Sequence, residues 1–162
     1  MHLEIERKFL VKSLPLSVDY SDIITIDQYY LKNIEGIWER VRTWHSRSGT
    51  LKWIHTIKKT ISKGVNLEDE KEITEEEYNT FVTRCKNGES GRFLSKKRYL
   101  YLDNGLTWEL DVFTSNIALI IAEVELPKKN FKLEIPKFIE EILLLEVTAL
   151  KQFSNRSLSY KI

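Results

Sequence analysis

One cysteine, one methionine, three prolines and six glycines are all that 162 residues hold of these types. The lone Cys85 excludes an internal disulfide and fits a reducing compartment. So few prolines and glycines exclude a collagen-like repeat and a Pro/Gly linker, and a hydrophobic share of 42% excludes a disordered tail. No apolar run approaches the roughly 18 residues that a membrane span needs. The N-terminal Met1-His2-Leu3-Glu4-Ile5-Glu6-Arg7-Lys8 alternates charged and apolar residues and has no apolar h-region, so it does not read as a signal peptide. An excess of one charge is missing too: 25 Lys and Arg face 24 Asp and Glu, a net +1. No global field attracts nucleic acid or an anionic membrane, and any charged ligand must be met by local arrangement. His2, His45 and His55 lack metal-ligand spacing, and Ser62-Lys63-Gly64 is a turn rather than a phosphate loop. What remains is a cytoplasmic single domain over residues 1–162.

Period-two patterning dominates what is there. Leu3 to Val11 reads as a strand, followed after Pro15 by a loop or short turn of about eight residues. Further strands are expected at Gln28 to Leu31, Ile37 to Thr43, Leu51 to Thr60 and Leu67 to Ile73, with Glu35-Gly36 and Ser46 to Gly49 as turns. Thr74-Glu75-Glu76-Glu77 is a capping box opening a helix from Glu75 to Lys86, whose apolar stripe is Tyr78, Phe81, Val82 and Cys85. Cys85 is thus a packed side chain rather than a reactive thiol. Asn87-Gly88 is expected to end the helix through a left-handed residue. Ser95 to Leu102 and Leu106 to Phe113 flank Asp103-Asn104-Gly105, a hairpin turn signal. Ile117 to Leu126 makes another strand, and Pro136 to Leu145 a second helix that turns Phe138, Ile139, Ile142 and Leu143 to the core. The sum is an α+β domain of about eight mostly antiparallel strands.

Charge is distributed unusually on these strands. It comes as pairs two residues apart: Glu4/Glu6 with Lys8, Arg40/Arg42, Glu70/Glu72, Lys96/Arg98, Glu109/Asp111 and Glu123/Glu125. Residues two apart on a strand share a face, so each pair presents both charges to one space. The alternate positions are apolar, among them Ile5, Val41, Leu110, Val124 and Leu126, and the two helices are available to cover them. A solvated sheet face with cross-strand Glu–Lys pairs would explain any single pair. Six pairs that exclude Ser, Thr and Gln weigh against that reading, and if the sheet closes they line a barrel with a charged lumen. Neighbouring carboxylates repel, raising one pKa, unless a divalent cation neutralises them. Mg²⁺ and Mn²⁺ take carboxylate and phosphate oxygens, while Arg and Lys grip phosphate. Acidic and basic pairs in one cavity therefore suit a metal–polyphosphate complex.

The residues themselves carry a resemblance. Glu4-Ile5-Glu6-Arg7-Lys8 resembles the ExExK signature of the CYTH superfamily, the triphosphate tunnel metalloenzymes. Gln28-Tyr29-Tyr30-Leu31, Glu39-Arg40-Val41-Arg42, Thr56-Ile57-Lys58, Glu70-Lys71-Glu72-Ile73 and Lys96-Lys97-Arg98-Tyr99 follow in the order of that family. So do Trp108 to Phe113 and Ala122 to Leu126, and Glu146-Val147-Thr148 with Phe153 to Leu158 is similar to the closing motif of its short bacterial branch. The resemblance spans essentially the whole chain. It implies a closed eight-stranded antiparallel β tunnel with helices outside, holding a triphosphate with Mg²⁺ or Mn²⁺, two ions in all. Carried over by position, Lys8, Arg40, Arg42, Lys58, Lys96 and Arg98 would grip phosphate oxygens. Glu123 and Glu125 would hold the metal on the triphosphate, and Glu4 and Glu6 a second, water-activating one, which makes Glu4, Glu6 and Lys8 the candidates for catalysis. Glu70, Glu72, Glu109 and Asp111 match acidic tunnel positions, as metal-shell or pairing residues.

The expected activity is hydrolysis of a triphosphate, inorganic triphosphate first, to diphosphate and phosphate. Alternatives are an adenylyl cyclase of the class IV type, a thiamine triphosphatase, and a polyphosphate- or nucleotide-binding module without turnover. A pure binding module has no use for Glu4 and Glu6. Trp38, Trp44 and Trp53 flank the basic strands, where they could stack a base or a thiazole ring; ordinary packing is the preferred reading. No nucleic-acid or membrane partner is expected, and the chain is read as a monomer or a homodimer.

Overall fold

The architecture follows from closing the alternating strands into a ring, which gives every charged position the same side. A computed structural model describes residues 1–32 and 37–162; the turn expected at Glu35-Gly36 lies outside them. The strands are β1 (His2–Val11), β2 (Asp22–Lys32), β3 (Trp38–Ser46), β4 (Leu51–Ser62), β5 (Val65–Ile73), β6 (Arg92–Asp103), β7 (Leu106–Phe113), β8 (Ile120–Glu125), β9 (Leu143–Glu146) and β10 (Tyr160–Lys161). Helices α1 (Glu75–Asn87), α2 (Lys137–Ile142) and α3 (Asn155–Leu158) join them. The neighbours run β6-β2-β3-β4-β5-β1-β8-β7, and β7 pairs back to β6, closing an eight-stranded antiparallel barrel. The short β9 and β10 add to β1 and β6 outside the ring.

β1 is the seam of the barrel. Its first half pairs with β5, from His2↔Glu68 to Ile5↔Val65, and its second half pairs with β8, from Glu6↔Glu125 to Val11↔Ile120. At the junction Glu6 N–H donates to the carbonyl of Gly64, 2.9 Å away. Gly64 holds φ +69°, and a Cβ there would stand 2.8 Å from the Glu6 carbonyl oxygen. Only glycine fits that turn.

The apolar faces are covered from outside, as the alternation demands. α1 lays Tyr78, Phe81 and Cys85 on Val41. Its capping box is formed by Thr74 and Glu77 in both directions. α2 brings Ile139 and Ile142 to Phe9, Trp108, Leu110, Ala122 and Val124. The Asn104-Gly105 turn has both residues at positive φ, 52° and 75°, the geometry a two-residue hairpin needs.

Several expected boundaries move. β2 begins at Asp22 rather than Gln28, and β8 at Ile120 rather than Ile117. The helix expected over Pro136 to Leu145 stops at Ile142, because Leu143 to Glu146 pair with Phe9 to Val11 and satisfy their backbone in a sheet instead. α1 ends without a left-handed residue: Gly88 is extended at φ −94°, and a Cβ there would meet the Arg84 carbonyl at 3.0 Å. Glycine is used for clearance at that point, not for its sign of φ.

Candidate functional site

Every second residue of the barrel strands points inward, and the register lines up the charged ones across neighbours. Around the ring stand Glu4, Glu6 and Lys8 on β1, Arg40 and Arg42 on β3, Lys58 on β4, Glu68 and Glu70 on β5. Lys96 and Arg98 on β6, Glu109 and Asp111 on β7 and Glu123 on β8 complete it. Three clusters form.

In the first, Lys58 Nζ donates to Glu4 Oε1 at 2.6 Å and lies 3.6 Å from Glu68, while Asn66 donates to the same Glu4 oxygen at 3.1 Å. Burial works against ionising Glu4, yet Lys58 holds its carboxyl below the ordinary value. Glu68 goes the other way, raised by burial and by the Glu4 charge.

The second is built on Arg40 and Arg42. Arg42 reaches Glu70 at 3.2 Å, Arg40 stands 4.0 Å from Glu68 and 3.9 Å from Glu70, and Thr56 donates to Glu70 at 3.0 Å. Despite burial, Arg42 and Arg40 keep Glu70 low. Burial, with Arg40 and Arg98 nearby, brings Arg42 down to about 10.

The third joins β6, β7, β8 and β1. Arg98 makes two bonds to Asp111, at 2.8 and 3.0 Å, and also contacts Glu109. Lys96 has no exposed side-chain surface; it donates to Asp111 at 2.7 Å and to Asn155 of α3 at 3.1 Å. Burial lowers Lys96 to about 8, whereas Asp111, against its own burial, is held at about 2 by Arg98 and Lys96. Lys8 stands between Glu6 at 3.7 Å and Glu123 at 3.8 Å. Those two carboxyls also share a hydrogen bond: burial and Glu123 push Glu6 well above the ordinary carboxylate range. Lys8 and the bond from Glu6 hold Glu123 well below it, against its burial. The opposed shifts are those of two carboxyls that cannot both ionise at one place without a cation between them.

Six of the expected phosphate ligands thus face one lumen. Lys8, Arg40, Arg42, Lys58 and Arg98 ring its middle, while Lys96 lies beneath Arg98, spent on Asp111 and Asn155. Of the acidic positions, Glu4, Glu6, Glu70, Glu109, Asp111 and Glu123 join the clusters. Glu72 is exposed at the end of β5, and Glu125 is exposed and bonded to His2 at 2.7 Å. These two stand at the rim, apart from the buried cations.

Other groups were not read from the sequence. Tyr30 is 4% exposed, accepts a bond from Gln28 at 2.9 Å, and contacts Arg40 through its hydroxyl. Thr56, Asn66 and Glu68 each position a charged neighbour. Glu68 lies two residues before Glu70, Asn66 two before Glu68 and Thr56 two before Lys58, so extending the charged tracks by their period of two would have found these three. Tyr30 sits on β2, which carries no charged pair to point to it. The packing of two of the tryptophans is against cations: Arg42 and Lys52 lie over the Trp44 ring, and Arg156 over Trp38. Trp53 packs beside the α1 cluster. His55 meets Glu39 at 2.9 Å outside the lumen. Cys85 is fully buried, its thiol raised to about 11 by burial.

Buried polar atoms without a partner mark what the lumen lacks. Among the described residues Glu6 Oε2, Glu68 Oε2, Arg40 Nε and Arg42 Nε are of this kind. Orphaned carboxylate oxygens suit a hard cation and orphaned guanidinium donors suit an oxyanion. No three acidic, histidine or cysteine side chains among the described residues converge as a ready cage. Two carboxylates with phosphate oxygens and water are the donor set Mg²⁺ normally takes, so the residues fit it.

No protein-family model matches the chain. An inorganic triphosphatase of Acetivibrio thermocellus is 33% identical, over 98% of this chain and 94% of its own length. The crystal structure of the hypothetical protein NE1496 superposes with a TM-score of 0.59 at 29% identity, covering 96% of this chain and 97% of that one. An adenylyl cyclase-like protein of Hippeastrum, described as having a dominant triphosphatase activity, shares the fold at a TM-score of 0.56 and 17% identity, over 77% and 80%. No described helix is long and apolar enough to cross a membrane. An identity that runs end to end agrees with the closed, charged barrel, and the chain belongs to the CYTH superfamily of triphosphate tunnel metalloenzymes.

Proposed function

We propose that the chain is a metal-dependent triphosphatase that cleaves inorganic triphosphate to diphosphate and phosphate. The observation that carries this is the Glu6–Glu123 pair held beside Lys8, facing Arg40, Arg42, Lys58 and Arg98 across one lumen. A triphosphate brings several negative charges, and the orphaned Nε donors of Arg40 and Arg42 are placed to receive them. The 33% identity to an inorganic triphosphatase supports the choice of substrate.

Glu6 and Glu123, with Glu4 near, are the residues that would hold Mg²⁺ or Mn²⁺. When bound, such an ion supplies Lewis-acid polarisation of phosphate oxygens and a more acidic water. The remaining work falls to the chain. Arg40 and Arg42 fix the phosphate track and neutralise equatorial oxygens as charge spreads in the transition state. Arg98, anchored through Asp111, and Lys58, anchored through Glu4, hold the two sides of that track. Lys8 balances the leaving diphosphate. The Glu4 carboxylate, kept ionised by Lys58 on Oε1, can take the proton that water releases on attack. The terminal P–O–P bond breaks, water adds to phosphorus, and phosphate and diphosphate leave.

Release of phosphate from inorganic triphosphate, thiamine triphosphate and ATP, with Mg²⁺, Mn²⁺ or EDTA, tests the reading. Fast cleavage of inorganic triphosphate that EDTA and Glu4→Gln both abolish is expected. Cyclic AMP and diphosphate from ATP, with inorganic triphosphate untouched, would replace it by a cyclase.

A further inference from the structure

Lys8, Arg40, Arg42, Lys58, Lys96 and Arg98 each have a carboxylate within 4.0 Å, whereas Arg156 on α3 has none among the described residues; its neighbour Arg92, which donates to the Arg156 carbonyl at 3.2 Å, brings a second positive charge rather than a partner. Arg156 is nevertheless built in. Its guanidinium carbon stands 4.0 Å from the centre of the Trp38 ring, a stacked cation–π contact. Trp38 is two residues before Arg40 and four before Arg42 on the same face of β3, and its register partner on β4 is Lys58. The Trp38 ring therefore continues the arginine track toward the end of the barrel where α3 sits. α3 is fixed there twice: Asn155 bonds Lys96 inside the lumen, and Leu158 packs on Leu94, Phe113 and Ile121.

A guanidinium at the end of a phosphate track, resting over an aromatic ring and with no carboxylate partner among the described residues, leaves its N–H donors open to an oxyanion. It also covers a ring face on which a nucleobase or thiazole would otherwise stack. Resting on the triphosphatase reading, we infer that Arg156 is a specificity-determining residue. It caps the unsubstituted end of an inorganic triphosphate, and by occupying Trp38 it denies that ring to the organic group of a substituted one.

Initial rates with inorganic triphosphate and ATP, measured for the native chain, Arg156→Gln, Arg156→Ala and Trp38→Ala, test this. Losing one charged donor to phosphate is expected to raise KM for inorganic triphosphate by about tenfold in both Arg156 variants, with kcat within about twofold. Because Trp38 is then uncovered, KM for ATP stays level or falls, and the preference for inorganic triphosphate shrinks by about tenfold or more. Trp38→Ala, which frees Arg156 without offering a ring, is expected to raise KM for inorganic triphosphate by a few-fold and to bring no gain on ATP. Arg156→Gln keeps the length and polarity of the side chain, so it decides the matter if the alanine variant melts early. An unchanged KM for inorganic triphosphate in Arg156→Gln, or an equal rise for both substrates, overturns the assignment. A native chain that cleaves neither substrate instead overturns the triphosphatase reading on which it rests.

Discussion

Glu6 is the side chain on which the demands of folding and of the site conflict. It is buried against Glu123, and its raised pKa means the folded chain prefers it protonated. The unfolded chain ionises it near the ordinary 4.5. The stability this proton contributes is therefore full below about that value and is lost as pH rises through the folded pKa. In metal-free buffer near pH 8, Glu6→Gln should therefore be more stable than the native chain, since it keeps the neutral form that burial favours. Mg²⁺ should raise the melting temperature of the native chain and leave that of Glu6→Gln almost unmoved, while the variant loses turnover. Thermal melts over a range of pH with and without Mg²⁺ check both statements; equal melting curves would sink them. Cys85 on α1 is likewise pushed up by burial, its thiol to about 11, but it has no charged partner in the lumen. It should resist alkylation in the native state and react at once in denaturant. At this scale the charged pairs were legible because a period of two is visible within one strand. The neutral members were not: Tyr30 and Thr56 look like any wet-face residue until Arg40 and Glu70 come from other strands to meet them. The same holds for Lys96, which looks like an exposed phosphate ligand in its own strand. It is sealed only because Asp111 and Asn155 arrive from elsewhere.

Among the elements, the β4–β5 turn has the tightest link to the site. Gly64→Ala would place a methyl 2.8 Å from the Glu6 carbonyl oxygen at φ +69°, a strain of about 1–3 kcal/mol. Because the same turn accepts the Glu6 N–H, the damage should reach the site and weaken triphosphate binding as well as stability. Calorimetric binding and melts on one preparation measure the two together. Thr74→Ala, by contrast, removes the cap of α1 on the outer face, and should cost about 1 kcal/mol with KM unchanged. α1 and the β6–β7 hairpin were readable because a capping box and Asn-Gly each carry their signal in a few adjacent residues. β9 was not. Leu143-Leu144-Leu145 suits a helix as well as a strand, and what decides is the open edge of β1, more than a hundred residues away.

For the whole molecule, closure of the ring is the property that no local pattern contains. Alternation says that each strand has a charged face; only the return of β7 to β6 turns those faces inward. The C-terminal segment then stoppers one end, with Leu158 on Leu94, Phe113 and Ile121. A chain cut before Asn155 should expose that apolar ring, bind a hydrophobic dye, melt lower and lose the bond that Asn155 makes to Lys96. The family's closing motif was legible as a motif, but its job as a stopper required the barrel to put it against.

The seam at β1 has a consequence for how the protein is made. Of the barrel strands β1, which carries Glu4, Glu6 and Lys8, leaves the ribosome before the others, and its partners lie at residues 65–68, 120–125 and 143–146. A nascent chain cannot finish the lumen until the partners as late as Glu146 have emerged. Until then its like charges stay hydrated and apart. Such long-range pairing folds slowly, and hydrolytic capacity should arrive in a single late step, after Glu146 has emerged, rather than growing with chain length.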